Sequence, residues 1–472
     1  MQSSLNISLS DFELRELILR AKDWILINGV CMRSRQNFDE NISEIAPFCL
    51  LPSCFPKSEF QRASEVQVLL NELMHKVAHN YEFLSSTLRS TIEKDEFTSK
   101  LFDIYHTVHT EGYAQRLSLG LIRSDYMLHS DEKNTVKQVE INMISTSFAG
   151  LAARISKYHR FILRELGHLD GSMKIPKNDS DIGFASGLME AWKIYSKKEA
   201  AILFVLEDVV YNVFDQRALE FKIYELNPSI KVIRRTLTEL TRVAQLGSSK
   251  ELLVDKLEIA VVYYRTAYQL EAYPSDKEWK VRLLIERSRA IKCPSIQYQL
   301  AGTKKVQQQL AVPGILERFF SDQRKIKKIT GIFVGLYSLD LDADGDNGAM
   351  RALQNPEKYV LKPQREGGGN NIYGNEIKMK LEAMDRTDRS AYILMDKIHP
   401  PHQKNYLIRA GKDFRLQDCV SELGIYGVIL GDENEIKLNT QCGHILRTKP
   451  ASADEGGIVI GAGSIDGPYL IE

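Results

Sequence analysis

The densest chemistry in the sequence lies in Tyr359-Val-Leu-Lys362-Pro-Gln-Arg365-Glu366-Gly367-Gly368-Gly369-Asn370-Asn371. A strand-like run delivers Lys362, Arg365 and Glu366 directly into three glycines. Lacking Cβ atoms, the glycines let backbone amides close on phosphate oxygens. The lysine and arginine supply charge, and a carboxylate can hold Mg2+ between phosphates. Three glycines alone would suit a flexible surface hairpin; with Lys, Arg, Glu and two Asn around them they point to a phosphate-handling flap.

Four other stretches carry weaker signals. In Gln138-Val-Glu140-Ile-Asn142, Glu140 and Asn142 share one face of a strand about 7 Å apart, a spacing suited to two oxygen ligands. An ordinary exposed strand has the same alternation, but here Ser145-Thr-Ser147-Phe-Ala-Gly150 follows, a polar turn able to present hydroxyls and amides. Gly302-Thr-Lys304-Lys305 opens a helical pattern and can bring a cation to a phosphate, although paired lysines at a helix start are commonly surface residues. Arg447, in His444-Ile-Leu-Arg447-Thr-Lys449, carries a planar fork suited to a carboxylate and precedes a second glycine-rich stretch, 456–463. Arg123 lies in Arg123-Ser-Asp-Tyr126. Arg265 ends an apolar strand, at the edge where open α/β sheets place ligands, though a strand-end arginine is also unremarkable. No Gly-x-Ser-x-Gly, His-Glu-x-x-His or Gly-x-x-x-x-Gly-Lys-[Ser/Thr] pattern occurs, and the histidines show no ligand spacing.

These residues need a scaffold. Ser10 and Glu13 form a capping-box pattern ahead of Leu14, Leu17, Ile18, Ala21, Trp24 and Ile25 at helical spacing, closed by Asn28-Gly29. Helical patterns continue over 61–90 and 95–117, so the first 120 residues read as mostly helical. From 136 the period becomes two. Residues 201–206 are uninterruptedly apolar, as in a strand buried on both faces. A helix over 215–226, a strand over 231–237, another helix and a strand over 258–264 follow, predicting a small doubly wound parallel sheet over 200–300. Strands are expected at 358–362, 391–398, 405–409 and 426–430.

Composition narrows the class. The 472 residues are 43% hydrophobic and 26% charged, with 62 Lys+Arg balancing 62 Asp+Glu. A net charge of zero argues against nucleic acid or an anionic membrane as partner. The six cysteines form no Cys-x-x-Cys pair, and no run approaches the roughly 20 apolar residues of a membrane span. The N-terminus lacks a secretory pattern, so a cytoplasmic protein is expected, or a secreted one if a signal peptide has been removed.

The motifs together resemble those of the eukaryotic-type glutathione synthetases, members of the ATP-grasp superfamily. The resemblance runs along almost the whole chain. It includes Arg123-Ser-Asp-Tyr126, Gln138 to Ser147, Asn212-Val-Phe-Asp-Gln216, Leu300-Ala-Gly-Thr-Lys-Lys-Val-Gln307, Leu361 to Gly374, Ser421-Glu-Leu-Gly424 and Leu446-Arg-Thr-Lys449. It implies an α/β fold: an ATP-grasp body with a helical N-terminal region and an inserted substrate domain. The implied limits are 1–199, 200–300 and 301–472, the last with a lid (359–376) and an acceptor loop (449–463). It further implies ATP and Mg2+, the substrates γ-glutamylcysteine and glycine (or another small amine), and a homodimer.

The resemblance also implies roles. Glu140, Asn142 and Glu366 match the metal ligands, and Lys304, Lys362 and Arg447 the catalytic cations. Lys304, Lys362, Gly367, Gly368, Asn371, Tyr373, Met395, Lys397, Ile398, Glu422, Lys449 and Glu455 fall on the nucleotide. Arg123, Ser145, Ser147, Asn212, Gln216, Arg265, Tyr268, Arg447, Ile458 and Val459 fall on the peptide or acceptor. Departures cluster on this last side. Val210-Tyr211-Asn212 stands for an expected Glu-Arg-Asn, Arg265-Thr-Ala-Tyr268 for Arg-Asp-Gly-Tyr, and Glu455-Gly-Gly-Ile-Val-Ile-Gly461 for Asp-Gly-Gly-Val-Ala-Ala-Gly. Three readings follow: a glutathione synthetase, a ligase with a shifted acceptor as in plant homoglutathione synthetases, or a nucleotide-binding interaction protein without turnover. The intact Glu140, Asn142, Lys362 and Glu366 speak against the third.

Overall fold

The computed structural model describes residues 5, 7, 9–34, 37–458 and 461–472. Val459 and Ile460 of the acceptor loop, including the expected contact at Val459, lie outside the described residues.

The capping box forms as expected: the Glu13 amide donates to the Ser10 hydroxyl and the Ser10 amide to the Glu13 carboxylate, opening helix Asp11–Ile27. Helices Lys57–Ala78, Tyr81–Ile92 and Glu96–Glu111 follow. The last ends at Gly112, whose φ of 83° is left-handed, so it stops short of 117.

Next comes an element that the sequence periodicity concealed. Ser118–His129 is a strand, buried without interruption from Ser118 to Tyr126. Leu119 and Leu121 enter one hydrophobic core, and Ile122 and Tyr126 enter the other. Burial on both faces erases the alternation that would betray a half-exposed strand. Polar Arg123, Ser124 and Asp125 in its middle break the apolar run as well.

This strand joins the two halves of a thirteen-stranded sheet. On one side it pairs antiparallel with Leu416–Gly431, which pairs in turn with Ile436–Pro450. The expected strand at 426–430 is thus only the end of a long hairpin arm. On the other side Ser118 pairs in parallel with Lys292 of Ile291–Cys293. From there the sheet continues in parallel through Leu257–Tyr264, Ala201–Leu206 and Val232–Thr236. The parallel strands expected over 200–300 are therefore a flank of the large sheet and do not close as a separate one. Their spatial order reverses between Ala201–Leu206 and Leu257–Tyr264, and such a reversal leaves a crevice beyond the carboxyl ends of the strands. Leu206-Glu207 and Tyr264-Arg265 occupy that position.

A second, four-stranded sheet carries the glycine-rich flap. It orders Leu336–Tyr337, Tyr392–Asp396, Tyr359–Pro363 and Ile372–Tyr373. Helices Ala343–Gln354 and Asn375–Ala383 cover it, giving it a core of its own around Leu339, Ala352, Leu361, Ile377 and Leu394.

The two core layers of the large sheet meet at a polar junction. Helix Ala149–Glu165 begins at Phe148, which has φ 73° and supplies no side-chain cap. Asp215, from helix Val213–Leu226, takes over that role. Its carboxylate accepts from the amides of Phe148 (2.7 Å), Gly150 (2.9 Å) and Leu151 (3.4 Å), and it pairs with Arg265 at 3.6 Å. Carboxylates at helix N-termini satisfy orphan donors and the local dipole together. Asp215→Ala is expected to lower unfolding free energy by roughly 3 kcal/mol, because Arg265 keeps a buried charge without its partner. Asp215→Asn, which keeps one acceptor, is expected to lose less than half as much, and urea unfolding followed by circular dichroism measures both.

Candidate active site

Where the two sheets approach, an ammonium group bridges them. Gly302 lets the start of helix Lys304–Leu310 close on the Glu140-to-Met143 segment, since a Cβ at Gly302 would stand 2.8 Å from Met143 Cβ. Lys304 is therefore buried, 5% exposed, and is no surface lysine. Its Nζ lies 3.0 Å from Glu140 of the large sheet and donates to both Glu366 oxygens at 3.1 and 3.2 Å. Burial opposes the Lys304 charge, yet the two carboxylates hold the ammonium protonated well above the ordinary lysine range. Glu140 is likewise ionised against burial by Lys304 and Lys362, whereas burial wins at Glu366 and raises its pKa.

Lys362, on the flap sheet, is 3% exposed and donates from Nζ to the Val139 carbonyl at 2.9 Å. That carbonyl is free because the ladder skips a residue: Asp125 pairs with Glu140 and Tyr126 with Gln138, leaving Val139 as a bulge. The expected polar face of Gln138, Glu140 and Asn142 is thus interrupted, and the shared face runs from Glu140 to Asn142 only. Burial and the nearby Lys304 charge depress the Lys362 pKa, with Glu140 opposing.

Asn142 leads to a network that the motifs did not single out. Its amide nitrogen donates to Asp125 at 2.9 Å. Asp125 also accepts from Arg123 Nε (2.6 Å) and Nη2 (2.8 Å) and from Arg447 Nη2 (2.7 Å). Arg447 in turn donates to Glu422 at 2.5 Å, while its buried Nε has no partner. Gly424 makes room: a Cβ there would stand 2.8 Å from Arg123 Cδ and 2.9 Å from Asp125 Oδ1. Asp125 thus fixes three expected site residues, and its position inside Arg123-Ser-Asp-Tyr126 was the available signal.

The expected nucleotide residues gather at the flap. Val360 pairs with both Met395 and Tyr373, and the Lys397 amide donates to the Lys358 carbonyl beside Ile398. Lys397 Nζ lies 5.8 Å from the centre of the Tyr373 ring, and the Asn371 amide donates to the Tyr373 hydroxyl. Glu455, on the acceptor loop, accepts from the flap amides of Gly369 and Asn371, each at 3.2 Å. A carboxylate thereby sits on amides of the kind that cradle phosphate. Gly367 and Gly368 hold left-handed φ values of 98° and 74°. Lys449 Nζ donates to the Asp454 carbonyl at 2.5 Å, and burial lowers its pKa.

The peptide-side residues meet at the Ser145-Thr-Ser147 turn. Arg265 is 2% exposed; it donates to the Thr146 carbonyl (2.7 Å), the Ser147 hydroxyl (2.8 Å) and the Tyr263 hydroxyl (3.1 Å). The Ser145 hydroxyl donates back to the Arg265 carbonyl at 2.8 Å. Arg265 therefore shapes the turn from beneath. Ser145, Phe148 and Ala267 all have left-handed φ values, 53°, 73° and 74°, costs of about 1 kcal/mol or more each that persist only where surroundings enforce them. Gln216 donates to Glu207 and Tyr268 donates to the same carboxylate, both at 3.5 Å; buried Asn212 Oδ1 has no partner. Ile458 is 3% exposed and its side chain joins the core, so it offers an acceptor only its backbone.

Among the described residues no three His, Cys, Asp or Glu side chains form a cluster able to hold a metal alone. Two carboxylates and one amide oxygen, Glu140, Glu366 and Asn142, do suit Mg2+, which binds through one or two carboxylates and completes its shell with water and phosphate oxygens. Asn142 spends its nitrogen on Asp125, so its oxygen remains for a cation.

Two sheets joined by a buried lysine, a glycine flap and further buried cations beside hard oxygen donors make an arrangement suited to phosphate groups. The chain belongs to the eukaryotic glutathione synthase family, whose ATP-binding-domain model matches residues 11–470. Glutathione synthetase of Homo sapiens is 43% identical over 464 residues, 97% of each chain. The chloroplastic glutathione synthetase of Arabidopsis thaliana is 38% identical over 473 residues, 98% of this chain and 86% of that one. The apo structure of a glutathione synthetase-like effector from Globodera pallida superposes with a TM-score of 0.80 at 26% identity, covering 99% of both chains.

The bridging ammonium yields a test without any ligand. Lys304→Met is expected to destabilise the protein by roughly 2–3 kcal/mol, below the full cost of an unpaired buried charge because Glu140 and Glu366 are 24% and 23% exposed. Adding Glu366→Gln is expected to restore part of that loss. Urea unfolding of the double-mutant cycle measures the coupling, and strict additivity would mean Lys304 and Glu366 act independently.

Proposed function

We propose that this chain is an ATP-dependent carbon–nitrogen ligase that joins γ-glutamylcysteine to glycine, giving glutathione, ADP and phosphate. The observation that carries the reading is the bridge of Lys304 between Glu140 and Glu366, one carboxylate from each sheet, within a chain of this family. In this reading 1–199 is the helical N-terminal region with the first part of the ATP-grasp body, 200–300 the substrate-binding α/β region, and 301–472 the C-terminal ATP-grasp part with its lid at 359–376 and acceptor loop at 449–463.

In the reaction the cysteinyl carboxylate attacks the γ-phosphorus of ATP, giving an acyl phosphate and ADP. The glycine amine then attacks the acyl carbon, and the tetrahedral intermediate expels phosphate. Lys362 and Lys304 offset the crowding of anions as phosphate is transferred. Mg2+, held by Glu140, Asn142 and Glu366, would supply positive charge between the phosphates when bound. Lys304 already neutralises those carboxylates, so it would share them with the cation. Gly367 to Gly369 close over the phosphates and keep water from the acyl phosphate. Arg447, pinned by Asp125 and Glu422 with its Nε still unsatisfied, orients the substrate carboxylate. Arg123 and Arg265 act through the Ser145–Ser147 turn. Met395, Lys397 and Ile398 line the adenine slot with Tyr373, while Glu422 and Lys449 flank the nucleotide.

Six free thiols favour a cytoplasmic setting; among the described residues no helix is long and apolar enough to cross a membrane. A homodimer is part of the same reading.

Phosphate release from ATP, Mg2+ and γ-glutamylcysteine is expected to be fastest with glycine across a panel of acceptor amino acids. A different preferred amine would reassign the acceptor, and silence with every amine would reject the ligase. Glu366→Ala is expected to reduce turnover at least about 1000-fold through lost charge stabilisation, and near-normal rates would overturn the metal assignment.

A further inference from the structure

The dipeptide γ-glutamylcysteine presents an α-ammonium at its glutamyl end, and a buried ammonium needs a carboxylate. Three carboxylates stand among the peptide-side residues. Asp125 is spent on Arg123, Arg447 and Asn142. Asp215 is spent on three helix amides and Arg265. Glu207 is less committed: its carboxylate takes long side-chain contacts from Gln216 and Tyr268 and a bond from its own backbone amide, and among the described residues it forms no ion pair.

Its location is equally specific. Glu207 follows the carboxyl end of Ala201–Leu206, next to Leu257–Tyr264, where the strand order reverses and open sheets bind ligands. Arg234 donates to the Gln216 oxygen at 2.9 Å, which turns the Gln216 nitrogen toward Glu207. Across the crevice, a Cβ at Gly367 of the flap would stand 3.5 Å from the Tyr268 ring. Tyr268 thus contacts the carboxylate with its hydroxyl while its ring faces the phosphate flap. Burial raises the Glu207 pKa, as expected of a carboxylate lacking its counter-ion, and the nearby Arg265 charge only partly offsets this. Val210, where a carboxylate was expected, packs against the hydrophobic core instead.

Resting on the functional reading above, we infer that Glu207 receives the α-ammonium of the γ-glutamyl group and makes this chain selective for a substrate with a free amino end. Gln216 and Tyr268 position the carboxylate, and Val210 takes no part.

The test compares γ-glutamylcysteine with glutaryl-cysteine, its analogue lacking only the α-amino group, with ATP, Mg2+ and glycine. Wild-type protein is expected to favour γ-glutamylcysteine in kcat/KM by about 30-fold or more. Glu207→Gln is expected to lose that preference through a higher KM for γ-glutamylcysteine, with kcat and the KM for ATP within about 3-fold of wild type. Glu207→Asp is expected to retain most of it. Equal losses on both substrates, or an unchanged preference in Glu207→Gln, would overturn the assignment. Should that variant fail to fold, a wild-type enzyme that turns over both substrates alike overturns the assignment by itself. Wild-type protein inert toward γ-glutamylcysteine overturns the functional reading, and this assignment with it.

Discussion

A single buried positive charge ties the two sheets together. Lys304 Nζ stands within 3.2 Å of carboxylates from both, Glu140 on one side and Glu366 on the other. Removing charged groups from water is costly, and a lone ammonium at this depth would shed its proton. Two carboxylates reverse that outcome. The requirement propagates outward: Glu140 must sit beyond the Val139 bulge, Gly302 must admit the lysine helix, and the flap strand must deliver Glu366. Lys362, bonded to the bulged carbonyl, is the second cation of the same arrangement.

The charged shell continues away from the sheets in an ordered way. Asp125 gathers Arg123, Arg447 and Asn142, and Asp215 gathers the start of helix Ala149–Glu165 together with Arg265. Each carboxylate thus holds a functional arginine in place and leaves it little freedom. Left-handed Ser145, Phe148 and Ala267 sit where these networks converge, which explains how a strained turn persists without glycine. Rigidity here serves geometry, since a pocket that joins two small molecules must hold their reacting atoms in register.

The sequence disclosed the parts whose patterns obey one rule at a time. The capping box at Ser10, the apolar run 201–206 and the Lys362-to-Asn371 flap were all legible, because each uses local chemistry. The central strand Ser118–His129 was not, because it is buried on both faces and carries Arg123, Ser124 and Asp125 in its middle. The arm Leu416–Gly431 was read only at its end, since Ser421, Glu422 and Gly424 interrupt its apolar character before 426. Glu422 is a proposed site residue, and Gly424 leaves room for Arg123 and Asp125. Local rules failed where function had altered the residues. Lys304 looked like surface decoration for a related reason, as its partners are distant in the chain, Glu140 in a strand of the large sheet and Glu366 in the loop that follows Tyr359–Pro363.

The nearness of Gly367 to Tyr268 has a bearing on traffic through the enzyme. The flap approaches the Tyr268 ring, so the proposed nucleotide and dipeptide sites are neighbours across it. Under the proposed function, release of the tripeptide would then be coupled to the flap swing that frees ADP. The flap sheet has its own hydrophobic core, so that swing can proceed as a unit without unpicking the large sheet.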